Sequence, residues 1–224
     1  MAASHQDAIA HVLGQGAARL AVPLAHTTLD SVCVYLDELQ RWSRIVNLVS
    51  VPDPQTVIRK HVVDCFALAS QLSFEGRLVD LGSGAGFPGL ILAMLDPERP
   101  IDLIEARRKR AHFLKAVVRR LELRNVAVYE GRAEALVQQE RFRAAYRVAV
   151  SRATWNLARF LSVAQGFVEP DGWAIAMKGP GVGDELRHLP AQAGPFVLYS
   201  RYDYTLPFGT ERRTLLTFAG QCFT

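Results

Sequence analysis

A chain of 224 residues, half of them hydrophobic, can bury one sizeable core but leaves no room for two full enzyme domains. Its 26 basic and 22 acidic side chains give a formal net charge of +4, which permits a polyanionic partner without requiring one. The three cysteines, Cys33, Cys65 and Cys222, show no close pair and no metal-ligand spacing, so they predict free thiols in a reducing compartment and suggest no zinc site.

The start of the chain does not resemble a signal peptide. Residues Met1 to Pro23 lack a basic start and carry Asp7 and Arg19. Charged residues interrupt every apolar stretch before it reaches the roughly 18 to 20 residues that a membrane span needs. We therefore expect a soluble, cytoplasmic protein. We also expect a monomer, although the sequence does not determine the oligomeric state.

The first third of the chain, residues 1–74, has helical patterns throughout. One apolar stripe runs from Leu29 to Leu39 and a second from Val57 to Leu72, both at helical spacing. Pro52 and Pro54 interrupt the chain between the two stripes. We expect this region to form a helical cap on the remainder of the protein.

From Arg77 onward, short apolar runs alternate with helical patterns. This alternation predicts an α/β domain over residues 75–224. Because the apolar runs show no polar alternation, they predict strands buried on both faces of a doubly wound, mostly parallel, Rossmann-like sheet. The predicted strands are Leu78–Leu81, Ile101–Ile104, Val126–Tyr129, Val148–Val150 and Trp173–Met177.

The end of the chain departs from this alternation. Phe196 to Tyr204 and Arg213 to Phe218 are two strand-like segments in succession, joined by a turn at Pro207 to Gly209. Successive strands joined by a short turn pair antiparallel. We therefore expect a reversed strand at one edge of the sheet.

The most informative motif runs from Asp80 to Gly89 and reads DLGSGAGFPG. It follows a predicted strand and opens a predicted helix, Pro88 to Leu95. Glycine lets a backbone turn tightly and approach a ligand closely, and proline suits the first position of a helix. The motif therefore indicates a nucleoside-binding loop at the end of the strand. The glycines of this loop are Gly82, Gly84 and Gly86.

Two classes of cofactor fit a loop of this kind. Gly84, Gly86 and Gly89 satisfy the dinucleotide pattern GxGxxG, which would predict an NAD-dependent oxidoreductase. That pattern begins directly at the strand end, whereas Gly84 lies four residues beyond Asp80, and an aspartate there would repel a pyrophosphate. S-adenosylmethionine has no phosphate and carries a sulfonium and an ammonium, so Asp80 favours this methyl donor, directly or through water.

Two further loops follow the next two predicted strands. Glu105 ends the first of these strands, where an acidic side chain can accept hydrogen bonds from both ribose hydroxyls of a nucleoside. The alternative for Glu105 is a surface glutamate, but its combination with the glycine loop favours the ribose contact. The segment Gly131 to Glu134 follows the next strand and could cover the adenine through backbone donors.

Seven short motifs occur together along the chain. They are Trp42 with Asn47-Leu48, His61 with Asp64, Asp80 to Gly89, Lys109-Arg110 with Phe113-Leu114, Ser151-Arg152-Ala153, Lys178-Gly179 and Glu211-Arg212. With these motifs, most of the chain resembles the RsmG (GidB) methyltransferases, which modify guanine N7 in bacterial small-subunit ribosomal RNA.

The resemblance implies S-adenosylmethionine as the cofactor, and 16S ribosomal RNA or the small ribosomal subunit as the partner. It also implies a reversed strand near the end of the sheet. The residues that it implies to contact the cofactor are Gly82, Phe87, Ala133, Glu134 and Arg152. Together with the loop analysis, the expected cofactor-binding residues also include Asp80, Gly84, Gly86 and Glu105.

The predicted helix Arg107 to Leu121 has one apolar and one basic face, because Arg108, His112, Lys115 and Arg119 recur at helical spacing. A solvated surface is one explanation of such a stripe. Contact with RNA phosphates is the other, and we favour it because only Glu122 offsets the basic run. The candidate RNA contacts are Arg108, Lys109, Arg110, Lys115, Arg119 and Lys178.

Arg152 and Lys178 lie at the carboxyl ends of neighbouring predicted strands, where open α/β sheets bind ligands. A cation there is suited to the donor's carboxylate or to an RNA phosphate, so we expect both to position substrate. Trp42 and His61 lie on apolar stripes, which favours roles in the core. Whether His61 and Asp64 are structural or contact substrate stays open.

The cofactor loop and the family resemblance together imply transfer of a methyl group from S-adenosylmethionine to guanine N7 in 16S ribosomal RNA. A non-catalytic RNA-binding protein is an alternative, although the glycine loop would then have no role. Guanine N7 carries no proton to remove, and the chain has no Asn-Pro-Pro-Tyr motif and no Pro-Cys loop. We therefore expect no general base and no metal.

Overall fold

Seven strands form one sheet in the computed structural model, which describes residues 2–50, 53–189 and 194–221. The strands are β1 (Leu78–Leu81), β2 (Ile101–Glu105), β3 (Val126–Glu130), β4 (Tyr146–Arg152), β5 (Val168–Lys178), β6 (Phe196–Thr205) and β7 (Arg212–Gly220). Each of the five strands predicted between residues 78 and 177 lies within one of β1 to β5. These predictions are confirmed.

The strand order across the sheet is β3-β2-β1-β4-β5-β7-β6. β1 to β5 pair in parallel, and β7 runs antiparallel to both of its neighbours. The predicted doubly wound, mostly parallel sheet is confirmed. The reversed strand was expected at the edge of the sheet, but β6 occupies the edge and the reversed strand β7 lies one place in. Residues 214–218 of β7 are accordingly buried, whereas residues 197–201 of β6 are exposed.

Helices precede the sheet and connect its strands. The N-terminal region contains α1 (Ala2–Arg19), α2 (His26–Ser43), α3 (Pro54–Val57), a π-helical turn (Ile58–Val62) and α4 (Val63–Gln71). The connecting helices are α5 (Gly89–Leu95), α6 (Arg108–Arg120), α7 (Ala133–Leu136), a 3₁₀ turn (Glu140–Phe142), α8 (Leu157–Ala164) and α9 (Val182–Arg187). Every regular element that the structure describes before residue 75 is thus helical, as predicted, and turns or coil join these helices.

Helices cover both faces of the sheet. Leu78 and Val148 belong to an apolar cluster that also contains side chains of the N-terminal helices, α5 and α6. Their neighbours Val79 and Ala149 belong to a second cluster with α7 and α8. This division follows from the strand geometry, since successive side chains point to opposite faces. One core therefore joins residues 1–74 to the sheet, and the division of the chain at residue 75 stays a prediction.

The helix after the glycine loop begins at Gly89, one residue later than predicted. Pro88 occupies the N-cap position just before it. The backbone N–H of Gly89 donates a hydrogen bond to Oδ2 of Asp80 at 2.9 Å. Asp80 thereby satisfies one of the N–H groups that every helix start leaves unpaired.

Helix α2 holds the glycine loop from the side. Tyr35 is fully buried, and its hydroxyl donates a hydrogen bond to the carbonyl oxygen of Ala85 at 2.8 Å. Its ring packs edge-on against Phe87 at a centroid distance of 5.7 Å. Thr28 donates a further hydrogen bond to the carbonyl oxygen of Met94 in α5 at 3.1 Å. The helical cap therefore positions the loop as well as covering the sheet.

Two of the three cysteines lie in the described residues. Cys33 and Cys65 are free thiols, whereas Cys222 lies outside the described residues. Burial raises the pKa of the Cys65 thiol well above its ordinary value, so this thiol is protonated near pH 7. Over the part of the chain that the structure describes, no helix has the length and apolar character needed to cross a membrane.

Candidate cofactor and substrate site

A cavity of about 610 Å³ opens at the carboxyl ends of β1, β2, β3 and β4. This is the edge at which open parallel sheets bind ligands. Leu48, Val49, Ser50 and His61 close the cavity from the N-terminal region. The loops after the four strands contribute Gly82–Ala85 with Phe87, Ile104–Arg107 with Arg110, Gly131–Glu134, and Arg152–Trp155.

The glycine loop combines ligand access with tight packing. Gly84 has a φ of +59°, and a Cβ atom built on it would meet nothing nearer than 3.8 Å. Gly82 and Gly86 have φ values of +80° and +95°, and a Cβ atom on either would collide with the side chain of Thr154 or Leu90. Gly84 thus leaves space towards the cavity, whereas Gly86 lets the loop pack against α5.

Asp80 lies behind the glycine loop and is completely buried. Its Oδ1 atom has no hydrogen-bond partner among the described residues. Burial raises the pKa of the Asp80 carboxyl to about 7, and the hydrogen bond from Gly89 opposes that rise. Neither Asp80 nor Gly86 lines the cavity. Asp80 therefore shapes the loop from behind, and its contact with a cofactor stays a prediction.

Glu105 ties two loops of the cavity together. Its Oε2 atom accepts a hydrogen bond from the N–H of Gly84 at 2.9 Å, and its Oε1 atom accepts one from the N–H of Arg107 at 2.7 Å. The residue is 5% exposed and lines the cavity. Each carboxylate oxygen has two lone pairs, so both oxygens keep an acceptor position for a ligand hydroxyl.

The loop after β3 lies at the rim of the cavity, where Ala133 and Glu134 begin α7. The Glu134 carboxylate pairs with Arg159 of α8 at 2.6 Å, and their side chains are 38% and 52% exposed. This solvent-exposed pair joins the loop after β3 to the helix after β4. Such a pair contributes little to stability, at most about 1 kcal/mol.

Arg152 ends β4 and connects the cavity to the N-terminal helices. Its Nη1 donates to Oδ2 of Asp64 at 3.1 Å, and its Nη2 lies 3.1 Å from Nδ1 of His61. Its guanidinium carbon lies 4.9 Å from the centre of the Phe87 ring. Asp64 is only 3% exposed, so this is a buried ion pair at the cavity wall.

His61 lines the cavity from the π-helical turn. Burial, followed by the positive charges of Arg152, Arg213 and Lys60, lowers the pKa of His61 to about 3. The ring is therefore neutral near pH 7, and Nδ1 can accept the hydrogen bond from Arg152. A neutral histidine held in this way carries its proton on Nε2 and is a poor base, although its ring remains available to touch a substrate.

Two further residues contact Asp64, and neither was predicted from the sequence to have a role at the site. The hydroxyl of Tyr204 donates to Oδ1 of Asp64 at 2.5 Å, and Nε of Arg213 lies 3.9 Å from the same oxygen. Burial and the Asp64 charge raise the pKa of Tyr204 well above its ordinary value. Tyr204 lies 140 residues from Asp64, and no local pattern links an edge-strand tyrosine to an N-terminal helix.

Lys178 does not line the cavity, and its role in positioning substrate stays a prediction. Its Nζ donates to the carbonyl oxygen of Trp155 at 2.8 Å and pairs with Glu185 at 2.8 Å. The side chain is only 10% exposed. Glu185 also accepts a hydrogen bond from the N–H of Leu157. Lys178 therefore supports the loop after β4, whose residue Trp155 does line the cavity.

Helix α6 presents its basic face to solvent. Its opposite face is buried through Phe113, Leu114 and Val117, so the two predicted faces are confirmed. His112 lies 3.8 Å from Glu130. The other basic residues of this face are exposed and form no ion pair within the described part of the chain. They are Arg108, Lys109, Lys115 and Arg119.

Arg110 and Trp42 connect α6 to the N-terminal region. Arg110 lines the cavity and donates to the carbonyl oxygen of Asn47 at 2.9 Å. Trp42 packs edge-on against Phe113 with ring centres 5.9 Å apart. Trp42 therefore has the core role that its apolar stripe favoured, and Arg110 holds the segment that closes the cavity.

The strand order, the reversed β7 and the glycine loop after β1 define the fold of class I S-adenosylmethionine-dependent methyltransferases. A family model described as GidB, rRNA small subunit methyltransferase G, matches residues 28–202. The chain therefore belongs to the GidB family.

Two relatives and one solved structure agree with this placement. The ribosomal RNA small subunit methyltransferase G of Clostridium botulinum (strain 657 / Type Ba4) is 38% identical over 154 residues, 68% of this chain and 64% of that protein. The protein of the same name from Halorhodospira halophila is 36% identical over 171 residues, 76% of this chain and 79% of its own. The match thus spans less than two thirds of the Clostridium relative.

The solved structure is a SAM-dependent methyltransferase from Aquifex aeolicus. It superposes with a TM-score of 0.52 at 14% identity, over 73% of this chain and 92% of the other. At this identity the likeness supports the fold alone.

Proposed function

We propose that the protein transfers a methyl group from S-adenosylmethionine to N7 of a guanine in 16S ribosomal RNA. The observation that carries this proposal is the cavity at the carboxyl ends of β1 to β4, walled by the glycine loop and Glu105, in a chain of the GidB family. The names of the Clostridium and Halorhodospira relatives support a ribosomal RNA substrate.

The residues around the cavity fit S-adenosylmethionine. Gly84 leaves space for close approach, and Glu105 offers acceptors for the ribose hydroxyls. Arg152 offers a cation for the donor's carboxylate. The unpartnered Oδ1 of Asp80 is an acceptor that a water bridging to the donor's ammonium could use. The proposed cofactor-binding residues are Asp80, Gly82, Gly84, Gly86, Phe87, Glu105, Ala133, Glu134 and Arg152.

Catalysis on guanine N7 requires positioning rather than proton transfer. When bound, S-adenosylmethionine supplies an electrophilic methyl group on its sulfonium. Guanine N7 has a free lone pair and no proton, so no side chain has to act as a base. His61 is neutral near pH 7, since its pKa is lowered to about 3. The chain's residues then act by aligning the lone pair with the methyl group and excluding water.

Arg152 is the residue best placed for this alignment. Asp64 and His61 fix its guanidinium from the side of the N-terminal helices, and the Phe87 ring lies against it. An arginine carries five N–H groups that donate hydrogen bonds. The N–H groups not used in these contacts remain available to S-adenosylmethionine or to the RNA. Arg152 therefore serves as a positioning residue for both ligands.

The exposed face of α6 suits contact with the RNA backbone. Its basic residues lie on the same helix as Arg110, which lines the cavity, so they flank the site where the base would enter. Phosphate contacts of this kind supply much of the affinity for RNA. We propose that Arg108, Lys109, Lys115 and Arg119 make them, with the protein acting as a monomer in the bacterial cytoplasm.

Methyl transfer to purified 16S ribosomal RNA and to small ribosomal subunits tests the proposal. The product is digested and its modified nucleoside identified by mass spectrometry, and N7-methylguanosine is expected. Calorimetric titration should show S-adenosylmethionine binding to the wild type. A methyl group on an exocyclic amine or a pyrimidine carbon would contradict the reaction, and absence of donor binding would contradict the cofactor.

The variant Gly84→Val tests whether S-adenosylmethionine binds at the glycine loop. A valine at a φ of +59° is strained and places a side chain where a ligand must approach the backbone. We expect donor binding to fall strongly, with the fold retained by circular dichroism. Wild-type binding by this variant would mean that the cofactor lies elsewhere.

A further inference from the structure

A second cavity, of about 470 Å³, lies on the same side of the sheet as the first, where the parallel strands have their carboxyl ends. The register pairs Lys178 at the end of β5 with Thr214, and Thr214 with Asp203 near the end of β6. The end of β5, the start of β7 and the end of β6 therefore meet there. We call this cavity the basic groove. It is lined by residues 179–183, Arg201, residues 203–205 and residues 212–214.

The charge lining the basic groove is positive. Arg201, Arg212 and Arg213 line it, and Asp203 is the carboxylate among its lining residues. Asp203 accepts hydrogen bonds from Thr214 at 2.6 Å and from Arg201 at 2.8 Å. The hydrogen bond from Thr214 and then that from Arg201 lower the pKa of Asp203, so its charge is present near pH 7. One carboxylate therefore offsets three arginines.

Arg212 is the arginine of the groove that is available to a ligand. It is exposed, and it forms no ion pair within residues 2–50, 53–189 and 194–221. Arg213, by contrast, leans towards the buried Asp64 at 3.9 Å. The groove thus keeps an unpaired cation at its surface, beside a second arginine that is already oriented by Asp203.

The segment after β5 forms a further wall of the groove and contributes three glycines, Gly179, Gly181 and Gly183. Cβ atoms built on Gly179 and Gly181 would meet nothing within 4 Å, and Gly181 has a φ of +95°. Glycines with open space beside them let a ligand approach the main chain closely. Arginine is the side chain best suited to phosphate, because its planar fork matches two phosphate oxygens. The two walls together fit a phosphodiester group.

A buried chain of hydrogen bonds separates the groove from the first cavity. Arg152 lines the first cavity and Tyr204 lines the groove. Both bond to Asp64, at 3.1 Å and 2.5 Å. The two openings are therefore neighbours at the carboxyl ends of the parallel strands, and a nucleic-acid strand can occupy both.

We propose that the basic groove binds the phosphodiester backbone of the RNA strand next to the nucleotide whose base enters the first cavity. This inference rests on the proposed function and adds to it a binding surface separate from α6. The groove would fix the strand on one side of the target nucleotide while α6 holds it on the other. No base would be read in the groove, since its contacts are to phosphate.

The test compares two double variants that each remove two positive charges. Arg201→Gln with Arg212→Gln alters the groove. Arg124→Gln with Arg143→Gln is the control, because these exposed arginines precede β3 and β4 at the opposite edge of the sheet. For each protein, RNA affinity is measured against salt concentration, together with KM for RNA and calorimetric affinity for S-adenosylmethionine.

We expect the groove variant to raise KM for RNA and to flatten the log-log salt dependence by about one unit per lost phosphate contact. Donor affinity and the thermal unfolding midpoint should match the wild type. The control variant should change none of these quantities. A groove variant with the wild-type salt slope and KM would overturn the inference.

Two further outcomes identify other failures. If the wild type methylates no ribosomal RNA, the proposed function itself fails. Guanosine monophosphate is titrated as a free phosphate-bearing probe. If the groove variant lost binding of this nucleotide while its RNA salt slope stayed unchanged, the groove would serve a free nucleotide and the inference would be overturned.

Discussion

Asp64 on helix α4 and Arg152 at the end of β4 form a buried ion pair at 3.1 Å across 88 residues of sequence. Tyr204 completes the pair from β6 by donating to the second oxygen of Asp64. Three parts of the chain therefore meet at one carboxylate beside the cavity. Removing one partner of a buried pair costs about 3 to 5 kcal/mol, because it leaves the other charge uncompensated.

Tyr204→Phe should lower the free energy of unfolding by about 1 to 3 kcal/mol, because a buried carboxylate oxygen loses its hydrogen-bond donor. Urea denaturation measures the change. Tyr202→Phe is the matched control, since Tyr202 stacks on Tyr204 at 5.4 Å but its hydroxyl has no hydrogen-bond partner among the described residues. Equal losses in the two variants would show that the bond to Asp64 contributes nothing.

Glu105→Gln should weaken binding of S-adenosylmethionine by about 1 to 3 kcal/mol, because a neutral amide is a poorer acceptor for hydroxyl groups. The variant also loses one of the two bonds that tie Gly84 and Arg107 to this side chain. A 2′-deoxyribose analogue of the donor separates the two effects by calorimetry. If Glu105 touches the ribose, the analogue loses less affinity in the variant than in the wild type, whereas additive losses would show no contact.

Replacing Arg108, Lys115 and Arg119 together with glutamine should weaken RNA binding and flatten its salt dependence by about one log-log unit per lost phosphate contact. Donor binding should not change, because none of the three lines the cavity. Filter binding of RNA at several salt concentrations gives the slope. An unaltered slope would mean that this face of α6 is only solvated.

The single-turnover rate of methyl transfer, at saturating RNA and donor, should show no pH dependence due to His61 between about pH 6 and 9. The pKa of His61 is lowered to about 3, so this ring does not titrate in that range. The pKa of Asp80 is raised to about 7, and Asp80→Asn therefore serves as a control for changes in the loop. A tenfold rise per pH unit that His61→Asn abolishes would show that a base takes part.

Asp80→Asn should gain stability relative to the wild type as the pH rises from about 4 to 8, up to a few kcal/mol. The folded-state pKa of Asp80 is about 7 and its ordinary value is 3.8, so the folded protein binds this proton more tightly than the unfolded chain. That stabilisation is present below the unfolded value and is lost as the pH rises through 7.

Thermal unfolding at several pH values measures the difference between Asp80→Asn and the wild type. Asparagine keeps an acceptor for the N–H of Gly89 and carries no charge to desolvate. Asp37→Asn, at an exposed position of α2, is the control and should show no such trend. A difference that stays constant with pH would contradict the raised pKa.

Local pattern was enough to predict the elements and the position of the first cavity. Strands buried on both faces need continuous apolar runs, which made β1, β2 and β4 recognisable in the sequence. The edge strand β3 is only partly buried but has a similar apolar run. The left-handed φ values of Gly82, Gly84 and Gly86 require glycine, so the loop was visible as well. The two faces of α6 followed from helical spacing. Each of these signals depends only on residues near one another in the chain.

The roles of individual polar side chains were decided by tertiary structure. Asp80 lies behind the loop, and Lys178 bonds to Glu185 and to the backbone of Trp155. Asp64 meets Tyr204 only because β6 returns to the N-terminal helices. A buried polar group must find its partner wherever the fold provides one, because leaving it unpaired costs more than the bond itself contributes. Its partner can lie anywhere along the chain, so spacing in the sequence does not reveal it.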